Sequence, residues 1–284
     1  MGKNNIYKSL LIYFFIIALL ISCDVGKNIN LINPDIKIKK INLDPDGNFT
    51  LDDVLNSYDT NDVMGFIQLN NDYERIFFYD NPTISINLNQ NSAQAYFFNS
   101  DTMDIIYPCN GIYINNYVLS NAGSGTYTYI GYGNQDNQNS LYYNFSSSNS
   151  IEIIGNQYIP SIDTSINFGS PIRILNVNRG ATISTLNSLN ISWSGESQCF
   201  AQIIIFNSDS LAEYSDTSLY EGSAIVENDG SFTISSNVMS QFRDGIYNIC
   251  LTKFEPYFIL FNNGKKSLII LKSSHKITVY LSSN

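Results

Sequence analysis

The segment "LNISWSG", residues 189–195, alternates apolar and polar side chains and carries Trp193, the chain's one tryptophan. In an extended strand Leu189, Ile191 and Trp193 share one face, because successive side chains point to opposite sides. Such alternation over six residues is typical of a strand with one face in a core. The segment therefore predicts a β-strand that brings a tryptophan into a hydrophobic core.

The same alternation recurs along the chain, separated by runs rich in Asn, Asp, Ser and Gly that are typical of turns. The clearest examples are "IKIKKINL" (36–43), "TISINL" (83–88), "AQAYFF" (93–98), "GTYTYIGY" (125–132) and "HKITVYL" (275–281). Helical candidates are short, namely 52–56 and 236–242, the second with Ser236 as its expected N-cap. We therefore predict an all-β fold.

After residue 170 the order of the strand segments resembles an immunoglobulin or fibronectin type III sandwich. The segments are "SPIRILNVNRGATIS", "LNISWSG", "CFAQIIIFN", "DGSFTIS", "DGIYNICLTKF" and "HKITVYL". Trp193 resembles the core tryptophan of that family, and Tyr247 in "DGIYNI" resembles its tyrosine corner. The resemblance implies a sandwich over 171–284, preceded by a β-rich domain over 44–170.

The N-terminus has a short basic leader, an apolar run over 10–21, and then "LISC" at 20–23. This order is that of a secretory signal peptide, and the run is too short to span a bilayer as a helix. "LISC" resembles the lipobox of bacterial lipoproteins, in which the cysteine is acylated and the peptide is cut before it. The resemblance implies a signal peptide over 1–22, cleavage between Ser22 and Cys23, and lipidation of Cys23.

The resemblance to a lipobox implies that residues 23–43 are a tether that ends in a first strand. It also predicts export to the bacterial envelope, with the outer membrane or cell surface favoured. The formal net charge of −10 argues against a nucleic-acid partner. We therefore expect the membrane to be reached through the lipid alone. The sequence does not indicate an oligomeric state.

Three cysteines remain if Cys23 carries lipid. Cys199 and Cys250 are a candidate disulfide, since an exported compartment permits one, and buried free thiols are the alternative. In immunoglobulin domains the tryptophan lies between the two cysteines, whereas Trp193 precedes both, so the resemblance implies no such bridge. Cys109, in the turn-like "YPCNG", is the expected leftover thiol.

The segment "DPDGNFTLDDVL", residues 44–55, resembles the first nine positions of an EF-hand loop. The turn glycine is replaced by Phe49 and the final acid by Leu55, so the segment lacks ligands that calcium requires. A turn at "DPDG" that leads into a short helix is the favoured interpretation, with weak calcium binding as the alternative. The oxygen ligands on offer are Asp44, Asp46, Asn48 and Asp52. We expect no other cofactor.

Catalytic patterns are scarce. His275 is the one histidine and lies in an alternating terminal segment, so we expect an ordinary strand residue. The chain has neither a nucleophile elbow nor a phosphate-binding loop. Paired carboxylates of a glycosidase stay open, because their separation is spatial. We therefore predict that the protein is not an enzyme.

Residues 107–143 contain eight tyrosines, and Tyr127 and Tyr129 share one face of a strand, with Tyr132 close by. Tyrosine suits sugar stacking and protein hot spots, but it is also a favoured strand residue. A row of exposed rings at these three positions favours a ligand platform, whereas burial favours sheet packing.

These observations predict an envelope lipoprotein that acts as a non-catalytic binding or adhesion module for a protein or glycan. The alternative is a structural or assembly lipoprotein whose sandwich is a spacer or docks to an envelope complex. A remote alternative is a carbohydrate-active enzyme with an accessory sandwich, which requires two acids facing a cleft.

Overall fold

The computed structural model describes residues 37–47, 63–78, 81–98, 106–123, 125–130, 141–195, 197, 199–207 and 218–284. Strands dominate this part of the chain. In the first half they are β1 (Lys37–Asn42), β2 (Val63–Phe78), β3 (Asn81–Phe98), β4 (Ile106–Tyr107), β5 (Gly111–Ile114), β6 (Tyr117–Val118), β7 (Ser120–Gly123), β8 (Thr126–Ile130), β9 (Asn149–Ile154) and β10 (Ile162–Ile166). In the second half they are β11 (Arg173–Ile174), β12 (Thr182–Ser184), β13 (Leu189–Ser194), β14 (Phe200–Asn207), β15 (Ser218–Glu227), β16 (Ser231–Ile234), β17 (Gly245–Leu260) and β18 (Lys266–Ser282).

The strands form three sheets. The largest has eleven strands in the order β1-β15-β14-β17-β18-β2-β3-β8-β7, with β12 added to β18 and β4 added to β3. The second has the order β10-β9-β5-β6, and the third has the order β11-β13-β16. The two smaller sheets each cover part of the large one, so the large sheet is a wall of two sandwiches.

The C-terminal half is an immunoglobulin-like β-sandwich, as predicted. The β11-β13-β16 sheet faces the β15-β14-β17-β18 part of the large sheet. Trp193 of β13 and Tyr247 of β17 are 1% and 0% exposed. They pack with aliphatic side chains such as Ile203 and Ile249 in what we call the second core. The alternation of "LNISWSG" thus places its tryptophan as expected.

The N-terminal half is β-rich, as predicted, and forms a second sandwich. The β10-β9-β5-β6 sheet faces β2, β3, β8 and the distal parts of β17 and β18. Its burial alternates cleanly along β9, where Ile151 and Ile153 are buried and Glu152 and Ile154 are exposed. These side chains pack with Ile67, Ala95 and Phe97 in what we call the first core.

The long strands β17 and β18 serve both cores. In β17, Ile249 and Leu251 lie in the second core and Ile259 lies in the first. All three residue numbers are odd, so these side chains lie on one face of the strand and both cores cover the same face of the large sheet. β18 continues the sheet by parallel pairing with β2, for example Leu271 with Leu69. Residues from both sides of position 170 contribute to each core, and the large sheet is continuous across it, so the domain boundary at this position stays a prediction.

One short helix is described, α1 (Ser236–Met239). It begins where the sequence predicts but ends three residues earlier. Its N-cap is Ser235, in extended conformation, rather than Ser236. Within the described ranges, no helix is both long enough and apolar enough to cross a membrane. The candidate helix at 52–56 lies outside these ranges.

Candidate functional site

Tyr127 and Tyr129 face the first core instead of forming an exposed platform. Tyr127 is 3% exposed, and its hydroxyl donates to the Cys109 carbonyl oxygen at 2.5 Å. Tyr129 is half-buried, and its hydroxyl oxygen accepts from the Leu141 N–H at 3.0 Å. The two tyrosines do share a face, but the predicted platform is wrong at these positions because that face is packed. Tyr132 lies outside the described residues.

Burial also sets the chemistry of this pair of contacts. It raises the pKa of Tyr127 to about 12, and the nearby Cys109 thiol adds to the increase, whereas the hydrogen bond to the Cys109 carbonyl opposes it. Burial likewise raises the pKa of the Cys109 thiol, against smaller opposing hydrogen bonds. Cys109 is therefore a core thiol with little thiolate character, rather than a reactive loop cysteine.

An exposed aromatic feature of the first sandwich lies elsewhere, and we call it the tyrosine pair: Tyr107 of β4 and Tyr158 of the turn after β9. Their rings stack with centroids 4.6 Å apart and planes at 16°. Tyr158 is 51% exposed, so its ring presents much of its surface to solvent. A flat aromatic ring with a polar tip is the kind of surface that sugars and protein hot spots use.

The loop that carries Tyr158 is held by Asn156. Its side-chain oxygen accepts from the N–H groups of Tyr158 at 2.8 Å and Ile159 at 3.1 Å. Its side-chain nitrogen donates to the Pro108 carbonyl at 2.6 Å, which ties the loop to the residue after Tyr107. A Cβ on Gly155 would lie 2.1 Å from a backbone oxygen of this loop, so only glycine fits. These contacts hold the backbone of the loop, and the stacking on Tyr107 orients the Tyr158 ring.

Part of this arrangement is visible in the sequence. "GNQYIP" (155–160) carries a glycine and an asparagine that favour a tight turn. No pattern relates Tyr158 to Tyr107, which precedes it by about fifty residues and meets it only in the folded chain.

The "DPDG" segment forms the predicted turn. The Gly47 N–H donates to the Asp44 carbonyl at 3.1 Å, which closes a four-residue β-turn. Burial, and then the neighbouring charge of Asp46, raise the pKa of Asp44. Asn48 and Asp52 lie outside the described residues, so calcium binding by this loop stays a prediction. Within the described part of the chain, no three His, Cys, Asp or Glu residues group as a metal site.

Cys199 and Cys250 do not form the candidate disulfide. Both are present as thiols, and Cys250 lies opposite Ile204 in the β14–β17 ladder. Cys199 precedes Ile204 by five residues, which is roughly 17 Å along a strand, whereas a disulfide requires Cα atoms less than about 7 Å apart. The bridge is therefore excluded by strand register. Burial raises the pKa of the Cys199 thiol.

Between the two cores the inner face of the large sheet is polar, and it binds a crossover segment, residues 168–174. Three backbone N–H groups of this segment have side-chain acceptors on β17 and β18. The pairs are Gly169 with the Tyr257 hydroxyl at 2.9 Å, Ile172 with Ser273 Oγ at 3.1 Å, and Ile174 with His275 Nδ1 at 2.8 Å. We call these acceptors, Tyr257, Ser273 and His275, the polar belt. They hydrogen-bond the backbone of the segment that passes from one sandwich to the other.

His275 is a strand residue of β18, as expected, and its ring is an acceptor in this belt. Burial and then the charge of Arg173 lower the pKa of His275 to about 4. The neutral ring leaves Nδ1 available to the Ile174 N–H. Arg173 itself stacks 4.4 Å from the Tyr73 ring centroid, and His275 meets the same ring edge-on at 5.0 Å. These contacts give His275 a structural role in the fold.

Comparisons with known proteins identify no family for this chain. No protein-family model and no curated protein matches the chain. The crystal structure described as DIP-gamma IG1+IG2 is similar over 78% of this chain and 98% of that one, with 9% identity and a TM-score of 0.21. The fold assignment here follows from the strand order of the three sheets. Ser22 and Cys23 lie outside the described residues, so cleavage and lipidation stay predictions.

Proposed function

We propose that this protein is a lipid-anchored bacterial envelope protein that binds a glycan or protein ligand through the tyrosine pair. The observation that carries the proposal is the exposed, stacked ring of Tyr158, fixed by Asn156. A pre-positioned ring loses little conformational freedom on binding, so more of its contact energy appears as affinity. The proposed activity is non-catalytic and needs no cofactor.

The position of the pair relative to the tether supports this proposal. β1 begins at Lys37, shortly after the proposed lipid site Cys23, and occupies one end of the large sheet. Tyr107 lies on β4, which extends β3 near the opposite end. A protein anchored through Cys23 thus carries its tyrosine pair in the sandwich farther from the anchor. Two or more acyl chains hold such a protein stably, whereas one does so only marginally.

Binding is tested with Tyr158→Ala, with Tyr142→Ala as the matched control because Tyr142 is 53% exposed. The full chain carrying Cys23→Ala is labelled and applied to a glycan array and to intact bacterial and host cells. We expect Tyr158→Ala to reduce binding at least tenfold, in the range of a hot-spot residue, and Tyr142→Ala to leave it unchanged. Equal binding by both variants contradicts a role for the tyrosine pair.

The anchor is tested by protease treatment of intact cells, with lysed cells and a Cys23→Ala strain in parallel. We expect the protein to be digested on intact cells, and the mutant to be released from the membrane fraction. Retention of the mutant in the membrane contradicts lipidation at Cys23.

A structural or assembly role is the second candidate. The burial of Tyr127 and the continuous eleven-stranded sheet favour it, because both describe a rigid spacer. Protection from protease until lysis, together with no loss of array or cell binding in Tyr158→Ala, supports this role over the first.

A further inference from the structure

Lys253 of β17 is completely buried between the two cores. It is 0% exposed, and it lies on the inner face of the large sheet between the two cores. Its Nζ atom is 3.2 Å from Glu255 Oε2 and 3.4 Å from the Gly195 carbonyl oxygen. A buried ammonium is costly even when paired, so its persistence at this position needs an explanation.

The side chain of Asn228 reaches the same carbonyl from β15's end of the sandwich. Asn228 is 3% exposed, and its Nδ2 donates to the Gly195 oxygen at 3.0 Å. Because both nitrogen atoms contact one oxygen, Lys253 Nζ and Asn228 Nδ2 are no more than about 6.4 Å apart. The flexible four-carbon chain of a lysine allows its amine to move across such a gap.

The carboxamide of Asn228 is also polarised. Trp193 Nε1 donates to its Oδ1 at 2.7 Å, which favours negative charge on that oxygen. Its Nδ2 faces a second acceptor, Ser197 Oγ, at 3.1 Å. The site therefore combines an amine, a carboxylate beside it, and an amide carbonyl held by a hydrogen-bond donor in a buried environment.

We propose that Lys253 and Asn228 form an intramolecular isopeptide bond, with Glu255 as the proton carrier. Glu255 takes a proton from the Lys253 ammonium, and the amine attacks Cγ of Asn228 while Trp193 stabilises the charge on Oδ1. Glu255 then returns the proton to Nδ2, the Cγ–Nδ2 bond breaks, and ammonia leaves. The surplus proton of the new amide nitrogen leaves through Glu255. The reaction requires neither oxidant nor cofactor.

The bond joins the end of β15 to the middle of β17. It closes a covalent ring within the second sandwich and removes a buried charge. A cross-link of this kind limits the extension of the unfolded chain, as a disulfide does. This inference is independent of the tyrosine pair and of the lipid anchor.

The test is proteolytic digestion of the full-length protein followed by tandem mass spectrometry, which is insensitive to any lipid on Cys23. We expect a branched peptide that contains Asn228 and Lys253, with a mass lower than that of its two parts by one ammonia, about 17 Da. Recovery of the Asn228 and Lys253 peptides as separate linear species in full yield overturns the proposal.

Two variants and a control assign the roles. Lys253→Met removes the amine and should abolish the branched peptide, as should Glu255→Gln, which keeps the shape of the side chain. Lys272→Met is the matched control, because Lys272 is also buried, at 2% exposure, and pairs with Asp72 at 3.7 Å. A branched peptide that persists in Glu255→Gln overturns the assignment of Glu255, and its loss in Lys272→Met overturns the specificity of the site. Circular dichroism of each variant confirms that it is folded.

Discussion

The two cores cover one face of the same sheet but differ in how their buried polar atoms are hydrogen-bonded. In the first core, tyrosine hydroxyls hydrogen-bond the main chain: Tyr127 donates to Cys109, and Tyr143 donates to the Ser92 carbonyl at 2.6 Å. In the second core, the buried side chains are mostly aliphatic, and the indole of Trp193 donates to a side chain, that of Asn228.

The difference explains the tyrosine-rich segment. A tyrosine ring fills core volume, and its hydroxyl satisfies a backbone group that a phenylalanine would leave unpaired. A high density of tyrosine is therefore evidence for packing in this half, and only rings such as Tyr158 that remain exposed are candidates for ligand contact.

The largest expected effect is that of Trp193→Ala, which empties the centre of the second core and removes the hydrogen-bond donor to Asn228 Oδ1. We expect the free energy of unfolding to fall by about 3–5 kcal/mol. Urea denaturation followed by far-UV circular dichroism measures the change, and Tyr280→Ala, at a position 42% exposed, is the control.

Because β17 and β18 belong to both cores, we also expect faster hydrogen exchange in β9 of the Trp193→Ala variant. Unchanged exchange there would mean that the cores unfold independently.

The polar belt between the cores should make stability depend on pH through His275. Its pKa is lowered to about 4 in the folded protein, whereas an unfolded histidine titrates near 6.5. Acid protonates the unfolded chain first, so this contribution is complete above about pH 6.5 and is lost as the pH falls to about 4, with a total of about 3 kcal/mol.

The matched variant for this effect is His275→Asn, which keeps an acceptor for the Ile174 N–H but does not titrate. Urea denaturation at several pH values between about 4 and 7 should show a shallower loss of stability for the variant than for the wild type. Parallel pH profiles for the two proteins would contradict the assignment of this pH dependence to His275.

A smaller effect is expected from Tyr127→Phe. The substitution keeps the ring but leaves the Cys109 carbonyl without its hydroxyl donor, at a cost of about 1–2 kcal/mol. Tyr142→Phe removes a hydroxyl from an exposed ring and should change stability by less than about 0.5 kcal/mol. Equal losses of stability in the two variants would mean that the Tyr127 hydrogen bond contributes nothing to the free energy of unfolding. The first core would then differ from the second only in shape.

The sequence predicts the strands because a period of two is local. It places Trp193 and Tyr247 in the second core, and it shows that Tyr127 and Tyr129 share a face. It does not show which face is inward, since that depends on the sheet that covers it. The prediction of an exposed platform at Tyr127 and Tyr129 is wrong for this reason, although the two side chains do share one face of the strand.

The joining of the two halves is also invisible in the sequence. β2 and β18 pair in parallel although about 200 residues separate them, and neither strand carries a signal that names its partner. The same holds for the polar belt, in which His275 contacts Ile174 from a distant part of the chain. The tyrosine pair and the Lys253 cluster arise from such contacts, so only the folded structure brings them together.

The smallest effect concerns β1, the first described strand after the proposed tether. On one side of it Ile41 is 3% exposed in the second core, and on the other side Lys40 forms an ion pair with Glu221. The Lys40 side chain is 65% exposed, so solvent screens the pair and Lys40→Gln should cost no more than about 0.5 kcal/mol. Urea denaturation in low and high salt measures it, and a loss above about 1 kcal/mol would show that charge holds this strand. The expected result means that β1 is held by its backbone ladder with β15 and by core burial, so ionic strength alone should not detach the tethered end from the sheet.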